Sequence, residues 1–391
     1  MTHRSRSGGP RQQFVQRKKN EPRPNESGNG KKGPLPTHEE TDPAAAAEDD
    51  TEHTSSDDRH PLARTPTATD ILALIRHSLA STISSPDFVP TIQKIKGLLY
   101  EKKWLDAFGD ESLLEAYAGR WVPSRVLCFR ELLADLEHVR NVLFYERGQR
   151  GGNVDVNGNG NGHGNENENA EAGPSRRRIV SLGGGAGSEL LAIGSLIHGQ
   201  QQLESRKEVR ASNTSIEWVG VDYGPWTSVL DKLNKSLSEL WSLDIPTNEH
   251  QMNLLDTPHP EGLIPLLQGD TKLVSILFTI CELMSQSRQS TIRLLHTITT
   301  HLAPGGYLLV ADSASDIAEF ELGASGRKWP IYMVLDAVLM GMKDETRDGK
   351  SQWRKVDSVD SRWFRLGDGV GEGWPVKLEN TRYWYRLYKR V

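Results

Sequence analysis

The run Ile179-Val180-Ser181-Leu182-Gly183-Gly184-Gly185-Ala186-Gly187-Ser188-Glu189-Leu190-Leu191 sets the frame for the rest of the chain. A short apolar strand enters a cluster of glycines, and a helical apolar pattern starts at once. Glycine is needed where the backbone turns tightly and where a ligand must come against it. N–H groups left open at the start of the helix can hold an anionic group such as an amino acid carboxylate. The spacing Gly183-x-Gly185-x-Gly187 also separates two ligand classes. A dinucleotide fold wants a third glycine at position 188, and that residue is Ser.

Downstream, short apolar runs alternate with helical stretches, which implies βαβ units and a parallel sheet. The pattern predicts strands at 178–182, 216–221, 251–255, 272–279 and 306–311, and helices near 187–198, 225–240, 285–302 and 328–341. Two more strands are expected around Trp363–Leu366 and Tyr383–Tyr388. Carboxyl ends of parallel strands share one crevice, where such sheets place ligands. Asp222 closes the second strand and is placed to accept two hydrogen bonds from ribose hydroxyls; polar residues 199–213 account for its distance from Gly187. Asp256 closes the expected third strand as an adenine-amino acceptor, or is a plain turn residue before Thr257 and Pro258. Glu282 follows the fourth strand, either as an acid–base group or as a carboxylate held by a helix dipole. Asp312, after the Ala303–Ala311 turn and strand, lies near the same rim, so Glu282 and Asp312 are the catalytic candidates. Cys281 reads as a small buried apolar residue.

Upstream the composition changes. Of 391 residues only 36% are hydrophobic, with 36 Gly and 20 Pro, too many for one compact fold of that length. Residues 1–66 read as a disordered charged tail. From Met1 to Leu35 there are nine Lys/Arg against two Glu, and from Pro36 to Arg64 two Arg against nine Asp/Glu. Such a segment cannot bury enough apolar surface to offset the entropy of ordering it. Its basic half, around Arg17, Lys18 and Lys19, fits an RNA arm, a nuclear address, or a solvated tail with no partner. Residues 148–175, rich in Asn and Gly, read as a flexible insertion. Between them, 67–147 reads as a helical domain: Asp70 precedes one apolar face, Ser85 to Asp87 opens a second helix, and a third starts near Ser124. A net charge of -5 argues against a uniformly basic protein, and two cysteines against a disulfide scaffold. With no apolar leader and no long apolar run, a soluble intracellular protein without membrane contact is expected.

Five parallel strands followed by a terminal pair resemble a class I methyltransferase, and the glycine spacing resembles motif I of S-adenosylmethionine methyltransferases. Many of these have Asp or Glu where Ser181 stands, to bind the methionyl ammonium; here that contact must come from elsewhere. Three segments together narrow the resemblance. They are Tyr117-Ala118-x-Arg120-Trp121-x-Pro123-Ser124-Arg125, then Leu182 to Leu190, then Phe278-Thr279-x-x-Glu282-Leu283. In combination they resemble the fungal 25S rRNA uridine-N3 methyltransferases, over roughly 67–391 without the insertion. The resemblance implies an α/β, Rossmann-like methyltransferase sheet at 176–391 behind the helical domain. It also implies methyl transfer from S-adenosylmethionine to N3 of a uridine in large-subunit ribosomal RNA, free or in a pre-ribosome, in the nucleus or nucleolus, with the cytoplasm open. No metal is called for. Cofactor contacts are expected from Gly183, Gly184, Gly185, Gly187, Asp222 and Asp256.

Uridine N3 carries a hydrogen used in base pairing, so an enzyme must expose it and remove that proton. Extruding the base costs a few kcal/mol, and stacking on a ring returns ~1–3 kcal/mol. Tyr223 and Trp226 are candidate rings; Arg120, Arg125, Arg354, Lys355, Arg382, Arg386, Lys389 and Arg390 are available for RNA. Three other readings compete. A small-molecule methyltransferase should not need the basic tail or the helical domain, and a silent RNA-binding remnant should have lost the glycines. A protein methyltransferase leaves no clear mark in one sequence.

Overall fold

A computed structural model describes residues 60–145, 176–207, 215–256, 261–314, 319–321, 328–341 and 351–391. The expected disordered tail up to residue 59 and the insertion at 148–175 lie outside the described residues. The described residues fall in one compact unit.

Seven strands make the main sheet: β1 (Arg176–Leu182), β2 (Ser215–Asp222), β3 (Thr247–Gln251), β4 (Thr271–Leu277), β5 (Tyr307–Ser313), β8 (Trp353–Phe364) and β9 (Thr381–Arg390). Their order is β3-β2-β1-β4-β5-β9-β8. The first five run parallel, while β9 pairs antiparallel with β5 and with β8. The order reverses beside β1, between β2 and β4, so their carboxyl ends open a crevice above the glycine turn. Two short strands, β6 (Glu319–Glu321) and β7 (Lys328–Pro330), pair separately.

Alternate side chains of each strand go to opposite faces, and each face has its own apolar core. Ile179, Trp218 and Leu309 belong to one; Val180, Val219 and Val310 belong to the other. The first is covered by α1 (Ala68–Ser78), α3 (Phe88–Tyr100), α5 (Glu111–Asp135), α6 (Glu137–Phe144), α7 (Ser188–Lys207) and α8 (Thr227–Trp241). The second is covered by α9 (Leu263–Leu267), α10 (Ile280–Gln286), α11 (Arg288–His301) and α12 (Ile331–Met340). Short α2 (Ala80–Ile83) and α4 (Trp104–Phe108) complete the helical region.

Local signals explain several boundaries. Thr67, rather than Asp70, caps α1: the two side chains form a reciprocal capping box, with Asp70 Oδ2 accepting from the Thr67 N–H at 2.9 Å. Helix α5 starts at Glu111, well before Ser124, because Pro123 lies inside it instead of opening it. Nineteen of its 25 residues are buried, as a helix packed on nearly all sides must be. Strand β3 begins at Thr247, earlier than the expected 251–255, because it is a polar edge strand with no apolar alternation. The expected helix at 285–302 is two helices, split at Ser287, whose side chain accepts from the Ser290 N–H to cap α11. No described helix is long and apolar enough to cross a membrane.

Candidate active site

The glycine turn is built so that side chains would fill it. Gly183 (φ +80°) and Gly187 (φ +76°) have left-handed backbones that favour glycine. A Cβ on Gly183 would lie 2.5 Å from the Thr279 side chain, and one on Gly185 would lie 2.0 Å from the Trp226 ring. Asp222, closing β2, holds the turn from the side. Its Oδ2 accepts from the Gly185 N–H at 3.0 Å and its Oδ1 from the Gly224 N–H at 3.1 Å. Burial pushes the Asp222 carboxyl above the usual range, while these N–H groups and Trp226 oppose the shift. Protein side chains already fill those positions, so the turn can pack this closely only as glycine, while Gly183, Ala186 and Asp222 border an open pocket.

Beneath the turn the missing acid reappears. Ser181 points into the first core and accepts from Trp218 Nε1 at 3.0 Å. Its hydroxyl lies 3.0 Å from that of Ser275 on β4, which donates to Glu189 Oε1 at 3.0 Å. Glu189, in the first turn of α7, is buried, and a Cβ on Gly184 would lie 2.5 Å from its Oε2. Burial pushes its carboxyl up to about 8, against the Ser275 hydrogen bond and the Arg125 charge. A carboxyl therefore packs against the glycine loop from the helix side, where the sequence has serine on the strand. In the sequence Glu189 stands inside the glycine motif, and its position two residues past the last glycine is the signal for it.

Above the turn is a pocket. One wall is apolar, from Trp104, Leu105 and Phe108 of α4 with Tyr117 of α5. Met252, Asn253, Leu254 and Leu255, after β3, form the second wall, and Phe278, Thr279 and Glu282, after β4, the third. Gly183, Asp222 and Tyr223 also line it, as does Arg125. Tyr223 is 37% exposed at the mouth. Phe278 has φ +58°, uncommon for a bulky residue, and its N–H donates to Ala311 O at 2.8 Å. Glu282 is half-buried. Burial first, then the nearby Asp222 charge, pushes its carboxyl up to about 7, although Arg125 and the Gln286 side chain oppose the shift. Such a group loses its proton near neutral pH and can serve as a general base.

Several expected residues stand elsewhere. Asp256 is exposed, does not line the pocket, and accepts from Asn253 Nδ2 at 2.8 Å. Because β3 ends at Gln251, Asn253 is the polar side chain that reaches the pocket instead. Asp312 is buried and committed to backbone, accepting from the Cys281 N–H at 3.0 Å and the Ser313 N–H at 2.7 Å. It ties the end of β5 to the start of α10 and does not line the pocket. Arg120 is only 3% exposed and forms an ion pair with Glu379, so it presents no charge to RNA. Arg386 is equally buried, paired with Asp360 at 2.5 Å, and Lys355 is paired with Asp336 at 2.8 Å. Trp226 does border the pocket, but it is packed into the core at 1% exposure. Cys281 is half-buried, and its N–H serves Asp312.

The segment Arg120 to Arg125 thus divides its work. Arg120 pairs with Glu379, Ser124 Oγ accepts from the Glu379 N–H at 3.2 Å, and Gly119 O accepts from Trp374 Nε1 at 3.1 Å. These contacts fix α5 to the loop before β9. Arg125 alone turns into the pocket. Among the described residues, no group of three or more His, Cys, Asp or Glu is arranged to hold a metal ion.

A glycine turn clamped by an acid at the end of β2, under a sheet of order 3-2-1-4-5 with an antiparallel pair, defines a class I methyltransferase that uses S-adenosylmethionine. The family model described as "Putative SAM-dependent methyltransferase" matches residues 75–389, and the chain belongs to that family. The 25S rRNA (uridine(2843)-N(3))-methyltransferase of Saccharomyces cerevisiae is 27% identical over 312 residues, covering 76% of each chain. Among solved structures, TehB from Haemophilus influenzae is similar at 12% identity and TM-score 0.32, over 56% of this chain and 58% of TehB. The antibiotic-resistance methyltransferase Kmr is similar at 13% identity and TM-score 0.31, over 56% of this chain and 89% of its own.

Proposed function

We propose that this protein methylates N3 of a uridine in large-subunit ribosomal RNA, free or within a pre-ribosomal particle. Likeness to the yeast uridine-N3 enzyme across three quarters of both chains carries the reading. The pocket chemistry agrees with it. When bound, S-adenosylmethionine supplies an electrophilic methyl group on a sulfonium. Of the glycine turn, Gly183 and Ala186 line the pocket and would lie against it, with Asp222 for the ribose and Asn253 for the adenine edge; Gly185 and Gly187 pack on Trp226 and Leu233 instead.

A uridine N3 has no free lone pair until its proton leaves. Glu282 is the ionisable carboxylate of the pocket other than Asp222, and Asp222 is held by two backbone N–H groups. Glu282 therefore takes the N3 proton as the N3–carbon bond forms and the donor's carbon–sulfur bond breaks. Tyr223, exposed at the mouth, offers a ring on which an extruded base can stack. Activity in the nucleus or nucleolus follows from the substrate, and the basic cluster at Arg17–Lys19 supports it.

The test is a digest. Incubation with a methyl-labelled donor and undermodified ribosomal RNA should yield labelled 3-methyluridine on nucleoside analysis. Label found only in protein, on a ribose hydroxyl or on cytidine would overturn the assignment.

A further inference from the structure

We propose that Arg125 is the counter-ion for the methionyl carboxylate of the methyl donor. The proposal rests on the donor being S-adenosylmethionine and not on the identity of the RNA base.

Arg125 lacks a carboxylate partner among the described residues. Its Nη1 donates to the hydroxyl of Tyr117 at 2.9 Å. That phenol stays neutral, since burial raises its pKa further above 10. Its guanidinium carbon also lies 5.7 Å from the Tyr117 ring centroid and 5.9 Å from that of Phe278. Among the described residues no carboxylate comes within ion-pair distance of it. Two rings and a phenol hold the cation in place without neutralising it. An arginine whose guanidinium is held this way is pre-organised for a planar, two-oxygen anion.

The position selects the anion. The Arg125 charge acts on Glu189 beneath the glycine turn, on Glu282 after β4 and on Asp312 at the end of β5. It therefore stands over the ends of β1, β4 and β5, on the side of the pocket lined by Gly183 and Thr279. With Asp222 and Asn253 at the nucleoside end, the amino acid end of the donor falls beneath Arg125. The carboxylate is the one anionic group on that ligand. A backbone phosphate of RNA is the poorer fit, because the α4 wall of Trp104, Leu105 and Phe108 closes this part of the pocket with apolar side chains. Phe278 adds a second sign of function. Its left-handed φ of +58° costs free energy, and it sets an aromatic ring beside the guanidinium.

The experiment separates the two ends of the donor. Full-length protein is titrated calorimetrically with S-adenosylhomocysteine, with its decarboxylated analogue, and with 5′-methylthioadenosine, which lacks the amino acid portion. In the wild type, removing the carboxylate should weaken binding about ten- to a hundredfold, the range for a charge-assisted hydrogen bond. Arg125→Met should weaken S-adenosylhomocysteine by a similar factor and leave methylthioadenosine unchanged. In that variant the carboxylated and decarboxylated ligands should bind alike. Arg125→Lys, which keeps the charge but loses the fork, should fall between. Equal loss for all three ligands, or a wild type indifferent to decarboxylation, would overturn the proposal. Unchanged S-adenosylhomocysteine affinity with lost RNA methylation would also overturn it and assign Arg125 to the substrate. A missing 3-methyluridine product would leave these binding results standing.

Discussion

The pocket and the terminal β8–β9 pair are made of the same residue types, arginines among aromatics and carboxylates, yet they do opposite things. In the hairpin Arg362 and Arg386 are neutralised by carboxylates. Arg386 pairs with Asp360 and lies 3.6 Å from Asp336, while Arg362 pairs with Asp135 and lies 3.4 Å from Glu131. The surrounding rings, Tyr383, Trp384, Tyr385 and Tyr388, are buried. In the pocket, Arg125 has a phenol, and the nearby carboxyls are raised rather than paired. Arginine beside aromatics is therefore no sign of a binding surface by itself. What distinguishes the pocket is a cation that stands beside raised carboxyls without pairing with them.

Three further measurements sharpen that contrast, beginning with the largest expected effect. Glu282→Gln removes the proton acceptor and should lower kcat about 10²-fold or more, the lower range for general base catalysis, with S-adenosylhomocysteine affinity nearly kept. In the wild type kcat should climb as pH rises through about 7, where Glu282 loses its proton, and then level off. A pH profile that is flat from 6 to 8, with chemistry limiting, would remove Glu282 as the base. Next comes Arg362→Met, which takes its ion pair from half-buried Asp135 and one cationic neighbour from buried Glu131. Removing one partner of a fully buried pair costs about 3–5 kcal/mol; for a partly exposed arginine roughly half of that is expected in denaturant unfolding. Arg125→Met strands no carboxylate, so its unfolding midpoint should move much less. Equal losses would erase the distinction between the two regions. The smallest effect concerns Glu189, whose folded pKa of about 8 exceeds its unfolded value. The folded state holds the proton more tightly, so this contribution to stability is present at low pH and lost as pH rises toward 8. Glu189→Gln keeps the shape without the titration, and should raise Tm by a few degrees at pH 9 but less at pH 6. A difference independent of pH would show that Glu189 does not titrate in its buried position.

How legible this was in the sequence depended on how each element is stabilised. Strands β1, β4 and β5 are buried on both faces and read as apolar runs; the glycine turn is readable because only glycine fits it. Strand β3 was displaced and α5 cut short for opposite reasons. The first is a polar edge with little to bury, and the second is buried on nearly every side and has no one-sided stripe to detect. Among site residues, Asp222 followed from its place at the end of a strand. Asp256 did not, because it inherited the error in β3. Arg120 and Arg125 cannot be told apart by type or spacing; Glu379, more than 250 residues away, neutralises one and not the other. Glu189 was hidden because its partner Ser275 comes from a distant strand.

Pro123 has no N–H to give, so the carbonyl one helical turn back, that of Gly119, is left without its usual donor. The indole of Trp374 supplies that donor from the loop leading into β9. During synthesis, α5 leaves the ribosome long before Trp374 and waits with a gap in its hydrogen-bond ladder and Arg120 without Glu379. The helix that carries Arg125 is thus completed by residues made much later than the helix itself. A chain arrested between Phe364 and Trp374 would contain every pocket-lining side chain and still lack the donor for Gly119 and the partner of Arg120.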